Sequence, residues 1–439
     1  MERPAAQSST QPSRRTFMKH STAAIVAGSV ASQLVVSRSA HAAGSDTLRV
    51  GLVGCGGRGN GAAVQALRAD ANTKLVAMGD IFPDAMVQAV KVLGSQKEVA
   101  ARIDVPSERQ FVGWNAYQQV IDSGVDVVLL ATPPQFRPLH IQAAIDAGKH
   151  VFAEKPVAVD APGYHKVLAA AKQAKEKSLA LCSGLCWRYD NGARASAEQV
   201  REGAVGEIIA IEANYNSSPP GKPWPMIREA GWSDMEYQLR NWYWFTWLSG
   251  DHIVEQAVHS LDKASWLLGD EAPLTCVGLG GLQARFAPDR GQIFDHHTVV
   301  YDYPNGVKLY FNCRQQTGTA RDVSVKVYGT KGICEVEKGS IRSRSGESLW
   351  RYRGPKNVMH QTEHDELFAG LRSGKFVNDG GFMSHSTMLA IQGRMATYTG
   401  QQIAWDKAIE SREDLSPAQY AWGPAPKCEV AVPGVTRFV

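Results

Sequence analysis

The stretch LRVGLVGCGGRGNGAAVQAL, which begins at Leu48, constrains the fold more than any other part of the sequence. Its first six residues form an apolar run that predicts a buried strand, and a helical pattern begins at Ala62. A strand, a turn with the spacing G-x-G-x-x-G and a helix are typical of a dinucleotide-binding unit. The glycines let the backbone approach a pyrophosphate, to which the helix N-terminus offers amide donors. The turn is therefore predicted to bind a nucleotide through Gly54, Cys55, Gly56, Gly57, Arg58 and Gly59.

The next apolar run, TKLVAMGD, predicts a second strand that ends at Asp80. An acidic residue about 20 positions after the glycine motif is expected to hold the hydroxyls of a ribose. We therefore assign Asp80 and the neighbouring Ile81 to the cofactor site. A carboxylate repels a 2′-phosphate, so the sequence favours NAD over NADP. Arg58 is the exception, because a nearby arginine could hold that phosphate.

Apolar strands and helical patterns continue to alternate as far as residue 189. The runs VDVVLLATPP, HVFAEKP and SLALCSGLCWRY each predict a strand. Continuous apolar strands separated by helices predict a doubly wound parallel sheet that is covered on both faces. The carboxyl ends of such strands share one edge of the sheet, where ligands bind. The residues expected at this edge are Ala131, Thr132, Pro133, Glu154, Lys155 and Cys186 to Tyr189.

Beyond residue 260 the pattern changes to an alternation of apolar and polar residues, which predicts antiparallel strands. One hairpin is predicted around Asn305 and Gly306, and another near Lys331 and Gly332. A late helix is predicted to end at Gly400.

The first 42 residues have the three parts of an export signal in the right order. SRRTFMK carries paired arginines, an apolar run of small residues follows, and AHA at residues 40–42 is a small-x-small cleavage site. The arginine pair resembles the twin-arginine type, so we expect export to the periplasm without a stable membrane anchor. This segment carries the whole formal charge of +4. The rest of the chain is neutral, which gives no indication of nucleic-acid binding.

Four motifs occur in the order and spacing of the Gfo/Idh/MocA oxidoreductases, which the chain resembles over nearly all of its length after the signal. They are GLVGCGGRG, ATPP followed by His140, EKP, and GDHIVEQAVHSLD. The resemblance implies an α/β fold with an N-terminal Rossmann domain, placed at residues 43–183. It also implies a C-terminal α/β domain with a large, open, mostly antiparallel sheet, placed at residues 184–439. In this family the sheet often forms the oligomer interface, which implies a homo-dimer or homo-tetramer, and His140 joins the cofactor-binding candidates.

The resemblance further implies that Lys155 is the catalytic lysine, and that Glu255 and His259 occupy the positions of a D-x-x-x-H helix. Glutamate in place of aspartate departs from the family pattern. Oxidation of a secondary alcohol requires a hydride acceptor and a group that removes the hydroxyl proton. His259 could take that proton, and Lys155 could polarise the oxygen. Glu255 lies one helical turn before His259 and could orient its ring or relay the proton.

Substrate contacts are expected from Trp187, Arg188 and Tyr189, and from His252 at the helix start. Residues 214–247 hold five of the eleven tryptophans. Their aromatic faces, including that of Trp224, suit stacking on a sugar. A packed insertion and an oligomer contact are the alternatives. No metal site is predicted, because His296 and His297 are adjacent on a strand and point to opposite faces, and the seven scattered cysteines form no clear zinc or disulfide pattern.

Three functions follow from these features. The first is an NAD-dependent oxidoreductase acting on a carbohydrate, whose cofactor must be tightly held and recycled because no free NAD pool is expected outside the cytoplasm. The second is an NAD-dependent glycosidase, which oxidises C3, eliminates the aglycone, adds water and returns the hydride. The third is a non-catalytic sugar-binding protein on the same fold. The intact glycine motif, Asp80, Lys155 and His259 argue against the third function.

Overall fold

The computed structural model describes residues 46–221, 226–284 and 291–439. The predicted signal peptide in residues 1–42 and the predicted substrate residue Trp224 lie outside these ranges. Residues 48–439 form one compact unit, so the domain boundary at residue 183 stays a prediction. Within the described ranges no helix is long and apolar enough to cross a membrane.

The first half of this unit is built on a six-stranded parallel sheet with the strand order β3-β2-β1-β4-β5-β6. Its strands are β1 (Leu48–Val53), β2 (Thr73–Asp80), β3 (Gln110–Val112), β4 (Val127–Leu130), β5 (His150–Ala153) and β6 (Leu181–Ser183). The helices between them are α1 (Gly57–Ala69), α2 (Pro83–Gly94), α3 (Ala116–Asp122), α4 (Arg137–Asp146) and α5 (Ala161–Glu176). Short 3-10 turns lie at Ala100–Arg102, Ser107–Arg109 and Pro134–Phe136.

The parallel sheet forms because its central strands are apolar on both sides. Every residue of β4 is buried, and so are the last four residues of β1. Strands of this kind require helices on both faces, and the predicted doubly wound fold is confirmed. The side chain of Asp160 starts α5 by accepting a hydrogen bond from the amide of Gly163 at 2.8 Å.

The strand predicted from SLALCSGLCWRY is only partly correct. β6 ends at Ser183, and Cys186–Tyr189 form a 3-10 turn instead of a continued strand. The side chain of Asp190 accepts a hydrogen bond from the amide of Ala193 at 2.8 Å and caps the helix α6 (Asn191–Arg201). This cap satisfies an amide at the start of the helix that follows the turn.

The second half is built on a nine-stranded sheet with the order β14-β13-β12-β11-β7-β10-β9-β8-β15. All neighbours are antiparallel except β7 and β10, which are parallel, and the predicted mostly antiparallel sheet is confirmed. The strands are β7 (Ile208–Ser217), β8 (Thr275–Gly281), β9 (His296–Asp302), β10 (Lys308–Gln315), β11 (Asp322–Gly329), β12 (Gly332–Glu335), β13 (Ser340–Ser343), β14 (Ser348–Arg351) and β15 (Ile403–Ala404).

Helices of different lengths accompany this sheet. They are α7 (Asp234–Arg240), α8 (Thr246–Ser249), α9 (His252–Glu255), α10 (Val258–Leu267), α11 (Met359–Ser373), α12 (Gly380–Thr399) and α13 (Trp405–Ile409), with 3-10 turns at Trp242–Trp244, Pro304–Gly306 and Val336–Lys338. One face of the sheet is buried under α10 and α12. The long helix α11 packs back onto α1 and the turn Cys186–Tyr189, so it brings late residues to the first sheet.

The turns of the second half follow the sequence prediction. Asn305 and Gly306 have positive φ angles of 62° and 77°, a conformation that asparagine and glycine tolerate, and they join β9 to β10. β11 and β12 form the second predicted hairpin. The helix α12 ends at Gly400, whose φ is 71°. All seven cysteines are free thiols, and six of them are buried.

Candidate functional site

The glycine turn after β1 is closely packed against the backbone of neighbouring segments. Gly54 has a φ of +95°, and a Cβ there would lie 2.7 Å from the carbonyl carbon of Ala131. A Cβ on Gly59 would lie 1.9 Å from the oxygen of Gly54. Gly56 and Gly57, in contrast, would meet nothing within 4 Å. The turn therefore needs glycine at two positions for packing and leaves open space beside the other two.

Asp80 holds this turn from the end of β2. Its Oδ2 accepts a hydrogen bond from the amide of Cys55 at 2.7 Å, and its Oδ1 accepts one from the amide of Phe82 at 2.9 Å. Burial raises the pKa of Asp80, while these two amides oppose the shift. The carboxylate is thus fixed at the carboxyl end of β2, where the sequence predicts a ribose contact.

A pocket with about 1000 Å³ of empty volume opens beside the turn and Asp80. His140 in its wall stacks on Tyr117 at 4.2 Å, and burial and Arg137 lower its pKa to about 3. The wall residue is therefore a neutral imidazole. The predicted cofactor residues that line the pocket are Gly54, Gly56, Asp80, Ile81, Ala131, Thr132, Pro133 and His140. Those that do not line it are Cys55, Gly57, Arg58, Gly59, Glu154 and Lys155.

The outer wall of this pocket comes from the aromatic-rich segment of the second half. Met226, Leu239, Arg240 and Trp242 line it. Arg240 Nη1 lies 3.0 Å from Asp84 Oδ2, and the guanidinium lies 4.0 Å from the ring centre of Phe82. Other aromatic residues of the segment, including Trp244 and Trp247, are buried in one apolar cluster. The sequence leaves three alternatives for this segment: stacking on a sugar, a packed insertion and an oligomer contact. Its described part fits a packed insertion that lines the nucleotide pocket.

Lys155, directly after β5, meets the short helix α9 of the second half. Its Nζ lies 3.0 Å from Glu255 Oε1 and also donates to the carbonyl oxygen of Glu255. Both side chains are mostly buried, with 14% and 13% exposed. The structure thus brings together the predicted catalytic lysine and the glutamate that replaces the family aspartate.

His259 lies near this ion pair, in the first turn of α10. Burial and the nearby charge of Lys155 lower its pKa well below the usual value. Its buried Nδ1 has no hydrogen-bond partner among the described residues. The imidazole is therefore neutral at physiological pH and able to accept a proton, as a general base must be.

A polar network that the sequence did not indicate adjoins Glu255. Gln256 Oε1 accepts hydrogen bonds from Tyr243 Oη at 3.0 Å and from Gln315 Nε2. Tyr215 lies close to Gln256, and burial raises its pKa to about 12, with the charge of Glu255 adding to the shift. These groups come from β7, β10 and the 3-10 turn Trp242–Trp244, and no local motif connects them.

Arg58 is directed toward the EKP motif. Its Nε lies 2.8 Å from Glu154 Oε1, and Glu154 is buried. Arg58 is the arginine that could hold the 2′-phosphate of NADP. It is already paired with a carboxylate. One turn of α11 delivers Glu363 to the same region, where burial and the charge of Glu154 raise its pKa well above the usual value. Neither carboxylate oxygen of Glu363 has a hydrogen-bond partner among the described residues.

Three of the predicted substrate residues are engaged by the fold. Arg188 donates a hydrogen bond to Asp262 Oδ1 at 2.9 Å. It also forms a bidentate ion pair with Asp270, with hydrogen bonds of 2.9 and 2.6 Å. The hydroxyl of the buried Tyr189 donates to Asp379 Oδ2 at 3.0 Å. Trp187 packs under the ammonium of Lys263, which lies 4.1 Å from the ring centre. These contacts hold the three side chains within the fold, and a substrate contact by any of them stays a prediction.

His252 is also turned inward. It is fully buried, and its Nδ1 lies 3.1 Å from the carbonyl oxygen of Phe294. With Asp251 and His297 it forms a compact cluster of groups that could ligate a metal. However, the Asp251 carboxylate already accepts bonds from the amide of Phe294 at 2.8 Å, from Tyr398 and from His297. The cluster is a hydrogen-bonded network at the start of α9, and a substrate contact by the buried His252 stays a prediction.

His360 is a further residue near the site that the sequence did not indicate. It lies in the first turn of α11. On one side of it Asn357 bonds to Tyr189, and on the other side Gln361 bonds to Gln65 on α1. Burial and the charges of Arg58 and Lys155 lower its pKa, and the charge of Glu154 opposes this shift. No motif marks this histidine, because only the packing of α11 against α1 brings it there.

Comparisons with known proteins agree with this geometry. Residues 48–181 match the sequence model of the Gfo/Idh/MocA oxidoreductase family, which is described as an NAD-binding Rossmann fold. The model of the Gfo/Idh/MocA C-terminal domain matches residues 193–335.

Individual relatives are distant but extend over most of the chain. Inositol 2-dehydrogenase of Serratia proteamaculans is 26% identical over 308 residues, which cover 69% of this chain and 78% of that protein. The 2,7-anhydro-N-acetylneuraminate hydratase of Escherichia coli is 27% identical over 247 residues, which cover 54% of this chain and 60% of the hydratase. The structure of aldose-aldose oxidoreductase from Caulobacter crescentus superposes with a TM-score of 0.62 at 19% identity, covering 82% of this chain and 99% of the other.

Proposed function

Because the chain belongs to the Gfo/Idh/MocA oxidoreductase family, we propose that it oxidises a secondary alcohol of a sugar or polyol with NAD. The observation that carries this proposal is the ion pair of Lys155, at the edge of the nucleotide-binding sheet, with Glu255 of the second half, beside a His259 whose pKa the lysine charge helps to lower. The relative named inositol 2-dehydrogenase supports a polyhydroxylated substrate. When bound, the nicotinamide ring supplies the hydride acceptor. Lys155 donates a hydrogen bond to the reacting oxygen, and His259 removes its proton.

The residues present fit a dinucleotide. The pocket lies beside the glycine turn, which leaves open space at Gly56 and Gly57, and Asp80 offers a carboxylate to a ribose. The carboxylate also supports NAD over NADP, since it would repel a 2′-phosphate. The pairing of Arg58 with Glu154 supports the same choice.

The cofactor in this proposal stays bound between turnovers. The cover formed by Leu239, Arg240 and Trp242 supports this, because these residues line the pocket and can contact a bound nucleotide. Export by the twin-arginine route and a periplasmic location, which rest on the sequence of residues 1–42, would require such retention. The open face of the nine-stranded sheet exposes Val277, Leu279 and Tyr310, which supports a homo-dimer or homo-tetramer through that sheet.

A redox-neutral reaction is the second candidate. In the NAD-dependent glycosidase sequence, a transient C3 ketone promotes elimination of the aglycone, and the hydride then returns. A cofactor that stays in the covered pocket suits this reaction too. The hydride that NAD accepts in the first step returns to the sugar in the last step, so no free cofactor is consumed. The relative named as a hydratase also supports it, since its printed name describes addition of water and not net oxidation.

The test is made on the purified full chain. The protein is denatured and the released nucleotide is identified by mass, and then myo-inositol, hexoses and aryl glucosides are added to the folded protein. Bound NAD that is reduced by a sugar supports the oxidoreductase, and release of the aglycone without net reduction supports the glycosidase. A protein that holds no nucleotide and does not bind added NAD would contradict both and would favour a non-catalytic sugar-binding role.

A further inference from the structure

A second imidazole stands at the catalytic edge, apart from the one that the proposed oxidation uses. The position of His360 is fixed from both sides. Asn357 Nδ2 donates to the carbonyl oxygen of Tyr189 at 2.7 Å, which ties the start of α11 to the turn after β6. Gln361 Nε2 donates to the carbonyl oxygen of Gln65 at 3.0 Å, which ties the helix to α1. Residue 360 is thus held between the nucleotide-binding helix and the carboxyl ends of the strands.

The surroundings of His360 leave it available. It is partly exposed, and the described structure gives its ring no hydrogen-bond partner. The charges that act on its ring are those of Arg58 on α1 and of Glu154 and Lys155 at the end of β5. Burial and the two cations lower its pKa, so the ring is neutral at physiological pH.

The other titratable groups around Lys155 are poor bases or are already engaged. Glu255 is ion-paired with the lysine. Burial raises the pKa of Tyr215 to about 12 and that of the Cys186 thiol above its ordinary value, so both stay protonated. His259 takes the hydroxyl proton in the proposed oxidation. His360 is therefore the remaining neutral base among these groups.

We propose that His360 is a second general base, which removes a proton from the carbon next to the one that is oxidised. This inference rests on the proposed function. Once the alcohol has become a ketone, the neighbouring C–H bond is acidified. The proton moves to the His360 imidazole, and the electron pair of that C–H bond forms an enolate whose oxygen is held by Lys155. Return of the proton restores the ketone, and a leaving group on the next carbon would depart with the same electron pair.

Deuterium exchange tests this step. The full-chain protein with its bound nucleotide is incubated in D₂O with myo-inositol or methyl β-D-glucopyranoside, and the recovered sugar is analysed by NMR. In a parallel incubation the ketone 2-keto-myo-inositol is added directly, so that exchange does not depend on prior oxidation. We expect deuterium beside the reacting carbon for the wild type, and a loss of about 10²-fold or more in the exchange rate for His360→Gln. Reduction of the nucleotide in a single turnover should change less than about threefold, a small effect on the barrier.

The outcomes separate the two proposals. If no sugar reduces the nucleotide, the proposed function fails and this inference fails with it. If the nucleotide is reduced but the wild type exchanges no deuterium, or His360→Gln exchanges at the wild-type rate, only the second base is overturned. A folded variant that loses reduction and exchange together would also overturn it, since His360 would then not act separately. His360→Asn and a melting curve cover a failure of the first variant to fold, and His165→Gln on the surface is the matched control.

Discussion

Lys155 Nζ lies 3.0 Å from Glu255 Oε1, although the two residues are 100 positions apart in the sequence. The lysine follows β5 of the parallel sheet, and the glutamate ends α9 in the second half of the chain. The same glutamate also accepts a hydrogen bond from the lysine through its main-chain oxygen. This side-chain pair joins the edge of the parallel sheet to a helix of the second half.

Replacement of Lys155 by methionine should abolish most of the hydride transfer. Methionine keeps the length and apolar stem of the lysine but cannot donate a hydrogen bond to the substrate oxygen. We expect the single-turnover rate of nucleotide reduction to fall by about 10²–10⁴-fold. The amount of nucleotide that copurifies should not change, because Lys155 does not line the nucleotide pocket. Lys177→Met, on the surface at the end of α5, is the control, and normal turnover by Lys155→Met would remove the lysine from the mechanism.

The length of the Glu255 side chain is a second testable feature. Glu255→Asp would withdraw the carboxylate by about 1.5 Å, and Glu255→Gln would keep the reach but lose the charge. A charge-assisted hydrogen bond contributes about 1.5–3 kcal/mol, so both variants should lose about 10–100-fold in kcat. If Glu255→Asp has full activity, the glutamate is interchangeable with the family aspartate and its extra reach has no role. Thermal melts would show whether either variant is merely less stable.

Much of the first half could be predicted because its signals are local. The strand β1, the glycine turn and Asp80 are adjacent in sequence, and their backbone demands select glycine at positions 54 and 59. The hairpin at Asn305 and Gly306 is local in the same sense. Prediction failed where a side chain depends on distant partners.

Arg188 shows the limit of such reasoning. A cationic side chain beside a strand end suggests a substrate contact, but its partners Asp262 and Asp270 follow more than 70 positions later. His360 and Glu363 show the converse, since nothing in MHQTEHDELF marks them as site residues. Only the packing of α11 onto α1 brings them to the cofactor edge.

Asp80 should control the choice of nucleotide. Asp80→Asn keeps the shape of the side chain, but its amide cannot accept hydrogen bonds on both sides as the carboxylate does from Cys55 and Phe82. Loss of this charged contact should raise the Kd for NAD by about 10–100-fold. The preference for NAD over NADP should narrow, because the repulsion of a 2′-phosphate disappears. Calorimetric titration of nucleotide-free protein measures both constants, with the exposed Asp104→Asn as the control; unchanged constants would place the ribose elsewhere.

The buried carboxyl group of Glu363 should make stability depend on pH. Its pKa is raised in the folded protein, so the folded state keeps a proton that the unfolded state releases above about pH 4.3. Stability is therefore lost as the pH rises from that value toward the folded pKa, by about 1.4 kcal/mol per pH unit. Glu363→Gln removes this cost, so its stability relative to the wild type should increase with pH in urea unfolding. Asp365→Asn, at an exposed position of α11, should show no such trend. A constant difference for Glu363→Gln would mean that the group is not protonated.

Arg240 should slow the release of the nucleotide. It lines the outer wall of the pocket, pairs with Asp84 at 3.0 Å and lies over the ring of Phe82. An exposed ion pair contributes at most about 1 kcal/mol and a cation–π contact about 0.5–2 kcal/mol. Their combined loss in Arg240→Ala should speed dissociation of the nucleotide about tenfold or more.

Arg228→Ala is a matched control, because Arg228 pairs with Asp234 on the same segment and does not line the pocket. Dissociation is followed by the fluorescence of bound reduced nucleotide after displacement with excess NAD. Faster release by Arg240→Ala alone would make the cover the element that retains the cofactor, whereas equal rates in both variants and the wild type would assign retention to the glycine turn and Asp80.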